Sequence, residues 1–326
     1  MRRKSILVLV LVLAMALLLT ACAGGSREEA EFPSRNIEFV VPFGAGGASD
    51  IAARTIAEVM GDFIDVNITI ANVPGGGTAT GMMHAYNAPA DGYTVFFLTP
   101  SVHIVESQEL APINFSETFV PLATMQIDAL AMSVHRDNEN FQTVEELIEF
   151  ARANPGRVTA GGQSPRGLHD FIVTGFAAAA GIEITFVPYD SAGEQRAAFL
   201  GREIDIYLEN VSALTALLVN DEIVPFVVIH DERIYSLPEM AHVPSSVELG
   251  INFTQGSWRA LAVRTGTPQE IIDVLEELLH RVYLSDAYQE RATLENSNYI
   301  SGWRTAAQTS AIWASELEQF KVIFGE

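Results

Sequence analysis

The stretch of sequence that decides the fold, residues 37–51, is IEFVVPFGAGGASDI. An apolar β-type run leads through a glycine-rich turn to the start of an amphipathic helix. The free N–H groups of the first helical turn point outward at such a junction, and the helix dipole adds about half a positive charge there. The segment therefore predicts an anion-binding loop. Its predicted ligand-binding residues are Phe43, Gly44, Ala45, Gly46, Gly47, Ser49 and Asp50. Asp50 has a second interpretation, because an acidic residue at a helix start favours the helix dipole without any ligand.

Strand-like and helix-like segments alternate along the chain, which indicates an α/β fold with mainly parallel sheets. The predicted strands are 37–42, 67–71, 94–98, 129–134, 158–161, 183–187, 204–208, 224–229 and 260–263. The predicted helices are 49–60, 78–86, 144–154, 168–180, 193–200, 212–219, 268–284 and 303–324.

Three further glycine loops lie between a predicted strand and a predicted helix, at residues 74–78, 158–167 and 186–193. Ligands collect outside the carboxyl ends of the strands in open parallel sheets. Several such loops therefore suggest one anion held from two sides. Outside the first loop, the predicted ligand-binding residues are Ser101, Gln163, Ser164, Arg166, His169, Tyr189 and Ser191.

Three of these residues have competing interpretations. Ser164 is not expected to be a nucleophile, because a hydrolase elbow needs glycine where Arg166 stands. Arg166 either offers a bidentate fork to a carboxylate or is solvated in its loop. His169 either faces a ligand or is a surface residue or cap in a first helical turn. Arg259, beside Trp258, either binds a carboxylate or is solvated, as is the case for Arg166.

Composition excludes several functional classes. The 326 residues are enough for two domains, and the net charge of −22 argues against nucleic acid and against docking on anionic lipid. Seven histidines without short metal-ligand spacing and a single cysteine predict no metal site, and no cofactor is expected. No nucleophile–base–orienter set is present, so we expect a protein that is not an enzyme.

The N-terminus is predicted to be a targeting segment. Three basic residues precede an apolar core at residues 6–19, which is too short to span a bilayer comfortably. Residues 19–22, LTAC, resemble a bacterial lipobox, so residues 1–22 are predicted to be a lipoprotein signal peptide and Cys22 to carry the lipid. Residues 23–32 are expected to form a flexible tether. The predicted location is extracytoplasmic and membrane-anchored, in the periplasm or on the outer face of the cytoplasmic membrane.

Several motifs in order resemble the tripartite tricarboxylate transporter substrate-binding proteins, also called Bug receptors. The motifs follow one another along nearly all of the chain after residue 22. They are VPFGAGGASD at 41–50, PGGG at 74–77, ADGYT at 90–94, VPY at 187–189, LP at 237–238, VP at 243–244, ELG at 248–250, GSW at 256–258 and TGTP at 265–268. Two positions depart from the family pattern: Val73 replaces an arginine, and Asp190 and Glu194 stand where lysine and glycines are usual. The two acidic residues suggest a ligand with an amine, unless they point to solvent.

The resemblance implies a two-lobed periplasmic-binding-protein fold of the type II, Venus-flytrap kind. It implies domain 1 at residues 33–129 plus 234–326 and domain 2 at residues 130–233, with the ligand between them. The implied function is capture of a small carboxylate by a monomer and its delivery to the large and small subunits of a membrane permease. Three alternatives remain: a ligand sensor for a two-component system, a receptor for another type of transporter, and an envelope hydrolase.

Overall fold

The computed structural model describes residues 32–163, 165–189 and 191–324, of which Arg35 onward belong to one compact unit. The predicted signal peptide with Cys22, the tether up to residue 31, Ser164 and Asp190 lie outside the described residues.

Strands and helices alternate along the described chain, as expected. The strands are β1 (Ile37–Val41), β2 (Ile68–Asn72), β3 (Thr94–Leu98), β4 (Phe119–His135), β5 (Thr159–Gln163), β6 (Thr185–Tyr189), β7 (Ile206–Asn210), β8 (Ile223–Val228), β9 (Gly256–Arg264) and β10 (Arg304–Thr305). The α-helices are α1 (Ala48–Met60), α2 (Ala79–Asn87), α3 (Ser101–Ser107), α4 (Phe115–Thr118), α5 (Val144–Ala153), α6 (Leu168–Ala180), α7 (Ala192–Leu200), α8 (Val211–Val219), α9 (Gln269–Leu284), α10 (Asp286–Leu294) and α11 (Ala306–Phe324). A short 3₁₀ turn, Gly76–Thr78, precedes α2.

The ten strands form one mixed sheet in the order β2-β1-β3-β9-β4-β7-β5-β6, with β8 and β10 also paired to β4. The outer strands β1, β2 and β3 are parallel to one another, and so are β5, β6 and β7. Strands β4 and β9 add antiparallel pairs in the middle. The α/β fold class is therefore confirmed.

The 17-residue strand β4 connects two parts of the sheet. Up to Ala129 it pairs with β9, and from Leu130 it pairs with β7 and β8. We call β1, β2, β3, β9, β10 and β4 up to Ala129 the first sheet segment, and the remaining strands with the rest of β4 the second sheet segment. The division into two domains at residues 130 and 234 stays a prediction.

Helix α11 packs against elements from both sheet segments. It contacts α3, which follows β3, and α6, which follows β5. The ring of Phe320 on α11 stacks on Phe171 of α6 with centroids 3.8 Å apart, and both rings are fully buried. This face of α11 is thus part of the core, and it packs against the first half of α6.

The sequence predicted only residues 129–134 of β4, which spans Phe119–His135. The strand changes its pairing partners halfway, and no turn signal in the sequence marks that change. The prediction also missed α3 and α4, which are seven and four residues long, and α10, whose only buried residues are Tyr288 and Ala292, so that none of them has a clear apolar period. No helix among the described residues is long and apolar enough to cross a bilayer.

Candidate ligand-binding site

A cavity of about 490 Å³ lies where the carboxyl ends of two sets of parallel strands meet, with β1, β2 and β3 in one set and β5 and β7 in the other. Its wall comes from the residues at or just after the ends of β1, β2, β3, β5 and β7, with two side chains from β9. The lining residues are Pro42, Phe43, Gly44, Ser49, Pro74, Gly75, Gly77, Thr78, Thr99, Ser101, Ile104, Gln108, Leu110, Gln163, Pro165, Arg166, Gly167, Leu168, His169, Glu209, Asn210, Ser257 and Arg259. A volume of this size is typical of small-molecule sites.

The first loop, residues 43–50, is held from behind by Asp50. This carboxylate is buried and accepts hydrogen bonds from the Gly46 N–H at 2.8 Å, from Arg54 Nε at 3.0 Å and from Asn72 Nδ2 at 3.0 Å. The hydrogen bond from Arg54, with those from Gly46 and Asn72, lowers the pKa of Asp50 to about 2 although burial opposes the shift. Asp50 does not line the cavity, so its observed contacts are those of a loop-holding residue.

The hydrogen bond to Asp50 also occupies the amide of Gly46, a residue predicted to contact the ligand. Gly46 has a left-handed φ of +80°, and it lies outside the cavity wall, as do Ala45 and Gly47. The first-turn amides of α1, those of Ala48, Ser49 and Asp50, have no acceptor within their helix. Phe43, Gly44 and Ser49 do line the cavity.

The second loop, residues 163–170, repeats this arrangement. Arg166 has a φ of +55°, and its N–H donates to Asp170 Oδ2 at 2.7 Å. The exposed Arg166 side chain donates from Nε to Gln108 Oε1 at 3.0 Å, and Gln108 Nε2 donates to the Arg166 carbonyl at 3.1 Å. Arg166 therefore lines the cavity, and its side chain is held by the neutral side-chain amide of Gln108. Gln108 is the residue directly after α3, which itself follows β3 of the first sheet segment.

His169 is positioned as a neutral hydrogen-bond donor. The Gln163 N–H donates to His169 Nδ1 at 3.1 Å, which places the imidazole proton on Nε2. Burial lowers the pKa of His169 to about 4, so the ring is uncharged at neutral pH. Both residues line the cavity. Gly162 packs directly against this ring, since a Cβ there would lie 2.4 Å from His169 Cβ.

Two further residues of the predicted set, both after the second loop, also lie away from the cavity wall. Tyr189 packs with an apolar cluster around Phe199 and Tyr207. Ser191 caps helix α7, because its side chain accepts a hydrogen bond from the Glu194 N–H at 3.2 Å. Ser101, by contrast, lines the cavity at the start of α3.

Two charged side chains of the wall, Glu209 and Arg259, are not in the predicted set of ligand-binding residues, although the sequence left the role of Arg259 open. Arg259 on β9 is only 7% exposed; its Nη1 lies 3.5 Å from Gln126 Oε1, and its Nε has no hydrogen-bond partner among the described residues. The charge of Arg259 acts on Asp128, a buried carboxyl that accepts hydrogen bonds from Ser212 and Tyr299. Burial still raises the pKa of Asp128.

The glycine loop at 74–78 is recognisable in the sequence, but the sequence-based prediction does not assign it to the site. Pro74, Gly75, Gly77 and Thr78 all line the cavity. The Oγ1 atom of Thr78 is buried and has no partner among the described residues. The signal that could have included this loop is its position after a strand, since the same argument selects the loop at 43–50.

Comparison with known proteins decides the family. Residues 52–324 match the family described as "Tripartite tricarboxylate transporter family receptor", TctC. The chain belongs to this family. Protein BugT of Bordetella pertussis is 24% identical to it over 299 residues, which cover 90% of each chain. The resemblance inferred from the sequence motifs is thereby confirmed.

Solved structures of other proteins have the same fold. A TctC solute binding protein from Polaromonas, solved without ligand, superposes with a TM-score of 0.79 at 24% identity, over 90% of this chain and 99% of that one. MatC from Rhodopseudomonas palustris, solved with bound malate, superposes with a TM-score of 0.72 at 19% identity, over 90% and 99% of the two chains. This TctC-family chain therefore has the periplasmic-binding-protein fold that was expected. Within residues 32–163, 165–189 and 191–324, no group of three or more His, Cys, Asp or Glu residues could hold a metal ion.

Proposed function

We propose that this TctC-family receptor binds a small carboxylate in the cavity between its strand ends and delivers it to a membrane permease. The observation that carries the proposal is the set of hydrogen-bond donors on the cavity wall. They are the first-turn amide of Ser49 in α1, the neutral His169 Nε2, and the Nε of buried Arg259, which has no partner among the described residues. Donors in a water-poor cavity bind an anion far more strongly than the same groups in water.

The overall charge makes these local donors necessary. A net charge of −22 repels anions at long range, so attraction has to come from a few fixed groups at short range. Helix-terminus effects supply about 0.3–1 kcal/mol each when exposed and up to about 2 when partly buried. A hydrogen bond to a charged group supplies about 1.5–3 kcal/mol. These few groups are therefore the source of the short-range attraction for an anion in this cavity.

The family and its solved members support this choice of ligand. A relative binds malate, a four-carbon dicarboxylate, on the same fold. We further propose that Cys22 carries a lipid, that the mature monomer is held outside the cytoplasmic membrane, and that the two sheet segments belong to lobes that close over the ligand. Closure would follow from tighter binding to the closed state, with no bond broken.

Arg259→Gln tests the cavity. We expect this variant to fold and to bind carboxylates about ten-fold or more weakly, because one charge-assisted hydrogen bond is lost. Calorimetry with the ligands selected from a thermal-shift screen of mono-, di- and tricarboxylates measures the loss. Arg157→Gln is the matched control, since Arg157 is exposed and lies outside the cavity. Equal affinities of the two variants would remove Arg259 from the site.

Uptake distinguishes a transport receptor from a sensor. Deletion of the gene should abolish uptake of the bound carboxylate, and the gene for the full-length protein should restore it. A deletion strain with unchanged uptake and a lost transcriptional response to the ligand would favour a sensor of a two-component system instead.

A further inference from the structure

The lining of the cavity includes one buried acidic residue, which a carboxylate ligand alone does not explain. Glu209, near the end of β7, is 5% exposed and lines the cavity. Its Oε1 accepts a hydrogen bond from the Asn210 N–H at 2.8 Å. Its Oε2 has no donor among the described residues. A buried carboxylate with half of its hydrogen-bonding capacity unused is costly unless a ligand completes it.

The charges around Glu209 increase this cost. Its pKa is raised to about 7, chiefly by burial and also by the neighbouring carboxyl of Asp128, while the Asn210 N–H opposes the shift. On the same strand, burial and the charge of Glu209 both raise the pKa of the Tyr207 hydroxyl. Arg259 lines the same cavity, but its charge acts on Asp128. A carboxylate in this position lacks a counter-ion from the described residues.

A second acceptor lies beside Glu209. The side-chain Oδ1 of Asn210 is buried, has no hydrogen-bond partner among the described residues and belongs to a cavity-lining residue. Two nine-tenths-buried side chains in the same wall, Thr78 and Arg259, also have an unpartnered polar atom. The wall therefore contains donors, at Arg259 and His169, and acceptors, at Glu209 and Asn210.

We propose that Glu209 and Asn210 bind an ammonium group, so that the ligand is an amino-substituted carboxylate. The proposal rests on the proposed function, because the ligand's carboxylate is bound by the donors of the cavity wall. An ammonium group brings three N–H donors and a positive charge, which match one free carboxylate oxygen and one free amide oxygen. A hydroxyl in the same place would supply one donor and leave the charge of Glu209 unpaired.

A matched set of ligands tests the proposal by calorimetry. Succinate, L-malate and L-aspartate differ only in hydrogen, hydroxyl or ammonium on one carbon, and propionate, L-lactate and L-alanine repeat the series with one carboxylate. We expect the ammonium member of at least one series to bind about ten-fold or more tightly than the hydrogen member. In Glu209→Gln this preference should vanish while the hydrogen member keeps its affinity within about three-fold.

Glu203→Gln is the matched control, since it removes one carboxylate from the same sheet segment at an exposed position outside the cavity. It should keep the preference for ammonium. Circular dichroism and Tm report whether each variant folds, and Asn210→Asp, which adds a carboxylate beside Glu209, should sharpen the preference even if Glu209→Gln fails to fold.

Proton release gives an independent readout. Because the pKa of Glu209 is about 7, an ammonium ligand that ionises it at pH 7 should release about half a proton. Calorimetry in buffers of different ionisation enthalpy measures this release, which should be absent with succinate and in Glu209→Gln.

The possible failures are distinguishable. Tight binding of succinate without a preference for aspartate, or a preference that survives Glu209→Gln, would overturn the ammonium site and leave the proposed function intact. A failure of every carboxylate to bind would overturn the proposed function itself.

Discussion

The two loops at the cavity share a backbone plan but are anchored differently. Each has a residue with left-handed φ, then a glycine that begins a helix, then an aspartate in the first turn that accepts a hydrogen bond from the left-handed residue. In the first loop these residues are Gly46, Gly47 and Asp50, and in the second they are Arg166, Gly167 and Asp170. Ser49 and His169 occupy equivalent positions just before the aspartates, and both line the cavity.

The difference lies in what holds each aspartate and each left-handed residue. Asp50 also accepts hydrogen bonds from Arg54 and Asn72, whereas the additional hydrogen bond to Asp170 comes from the hydroxyl of Thr174. The first loop is thus fixed within its own sheet segment. The second loop depends on Gln108, which follows α3 of the first sheet segment. We infer that the first loop is a rigid platform and that the second one responds to the relative position of the segments.

The largest expected effect comes from the tight packing behind the second loop. In Gly162→Ala, the new Cβ would lie 2.4 Å from His169 Cβ and 2.6 Å from the ring of Phe186. Such overpacking costs about 1–3 kcal/mol and would push His169 out of position. We expect a lower Tm together with a loss of carboxylate affinity of about ten-fold or more.

Gly44→Ala is the control for this change, because a Cβ at Gly44 would meet nothing within 4 Å and its φ is not left-handed. It should leave Tm nearly unchanged. If Gly162→Ala kept both the Tm and the ligand affinity of the parent, the second loop would accept an added methyl group as readily as the first loop. The inferred difference in packing between the two loops would then be wrong.

The next effect distinguishes the two aspartates by pH. Asp50→Asn should cost about 1–2 kcal/mol of unfolding free energy at neutral pH, because a charge with several hydrogen bonds is lost. We keep the estimate low since the Arg54 partner is half-exposed and screened by solvent. The corresponding Asp170→Asn should cost less, as its carboxylate has fewer anchors.

The sign of the pH dependence follows from the lowered pKa of Asp50, which is about 2 in the folded protein against an ordinary value of 3.8. The carboxylate stabilises the fold fully above the unfolded pKa, and this contribution is lost as pH falls from about 4 to 2. The unfolding free energies of the parent and Asp50→Asn should therefore differ most above about pH 5 and converge near pH 2. Curves that stay parallel would show that Asp50 is not the anchor of the first loop.

Local sequence marks explain what could be predicted. Glycine turns, helix starts and the alternation of strands and helices are each visible within about ten residues of sequence. These signals place Gly44, Ser49, Gln163 and His169 where a strand ends and the next helix begins. The relation between the two loops is local as well, because each aspartate follows its left-handed partner by four residues.

Long-range pairing explains what could not be predicted. Glu209 lies just beyond the predicted end of a strand, and it reaches the cavity because β7 pairs with β4 and β5, neither of which is adjacent in sequence. Arg259 depends in the same way on the pairing of β9 with β3 and β4. In the sequence, the position of Asp50 in the loop favours a contact with the ligand. In the structure, its carboxylate accepts a hydrogen bond from Asn72, which is 22 residues away and could not be identified from local sequence.

The smallest expected effect concerns the contact between the second loop and Gln108. Gln108→Ala removes the two hydrogen bonds to Arg166 at the exposed edge of the cavity, which we estimate at about 0.5–1 kcal/mol in total, or a two- to five-fold loss of ligand affinity. Arg166→Gly removes the hydrogen bond from the arginine side chain, but it also relieves the left-handed φ, which costs a non-glycine residue about 1–2 kcal/mol.

The two variants therefore separate backbone strain from contact between the sheet segments. Arg166→Gly should have a higher Tm than Gln108→Ala, and both should bind the ligand somewhat less tightly than the parent, as measured by thermal denaturation and calorimetry. An unchanged affinity in Gln108→Ala would mean that the ligand-bound state does not use this contact. The second loop would then be independent of the first sheet segment, as the first loop is independent of the second. The left-handed φ of Arg166 would in that case not be explained by its hydrogen bonds with Gln108.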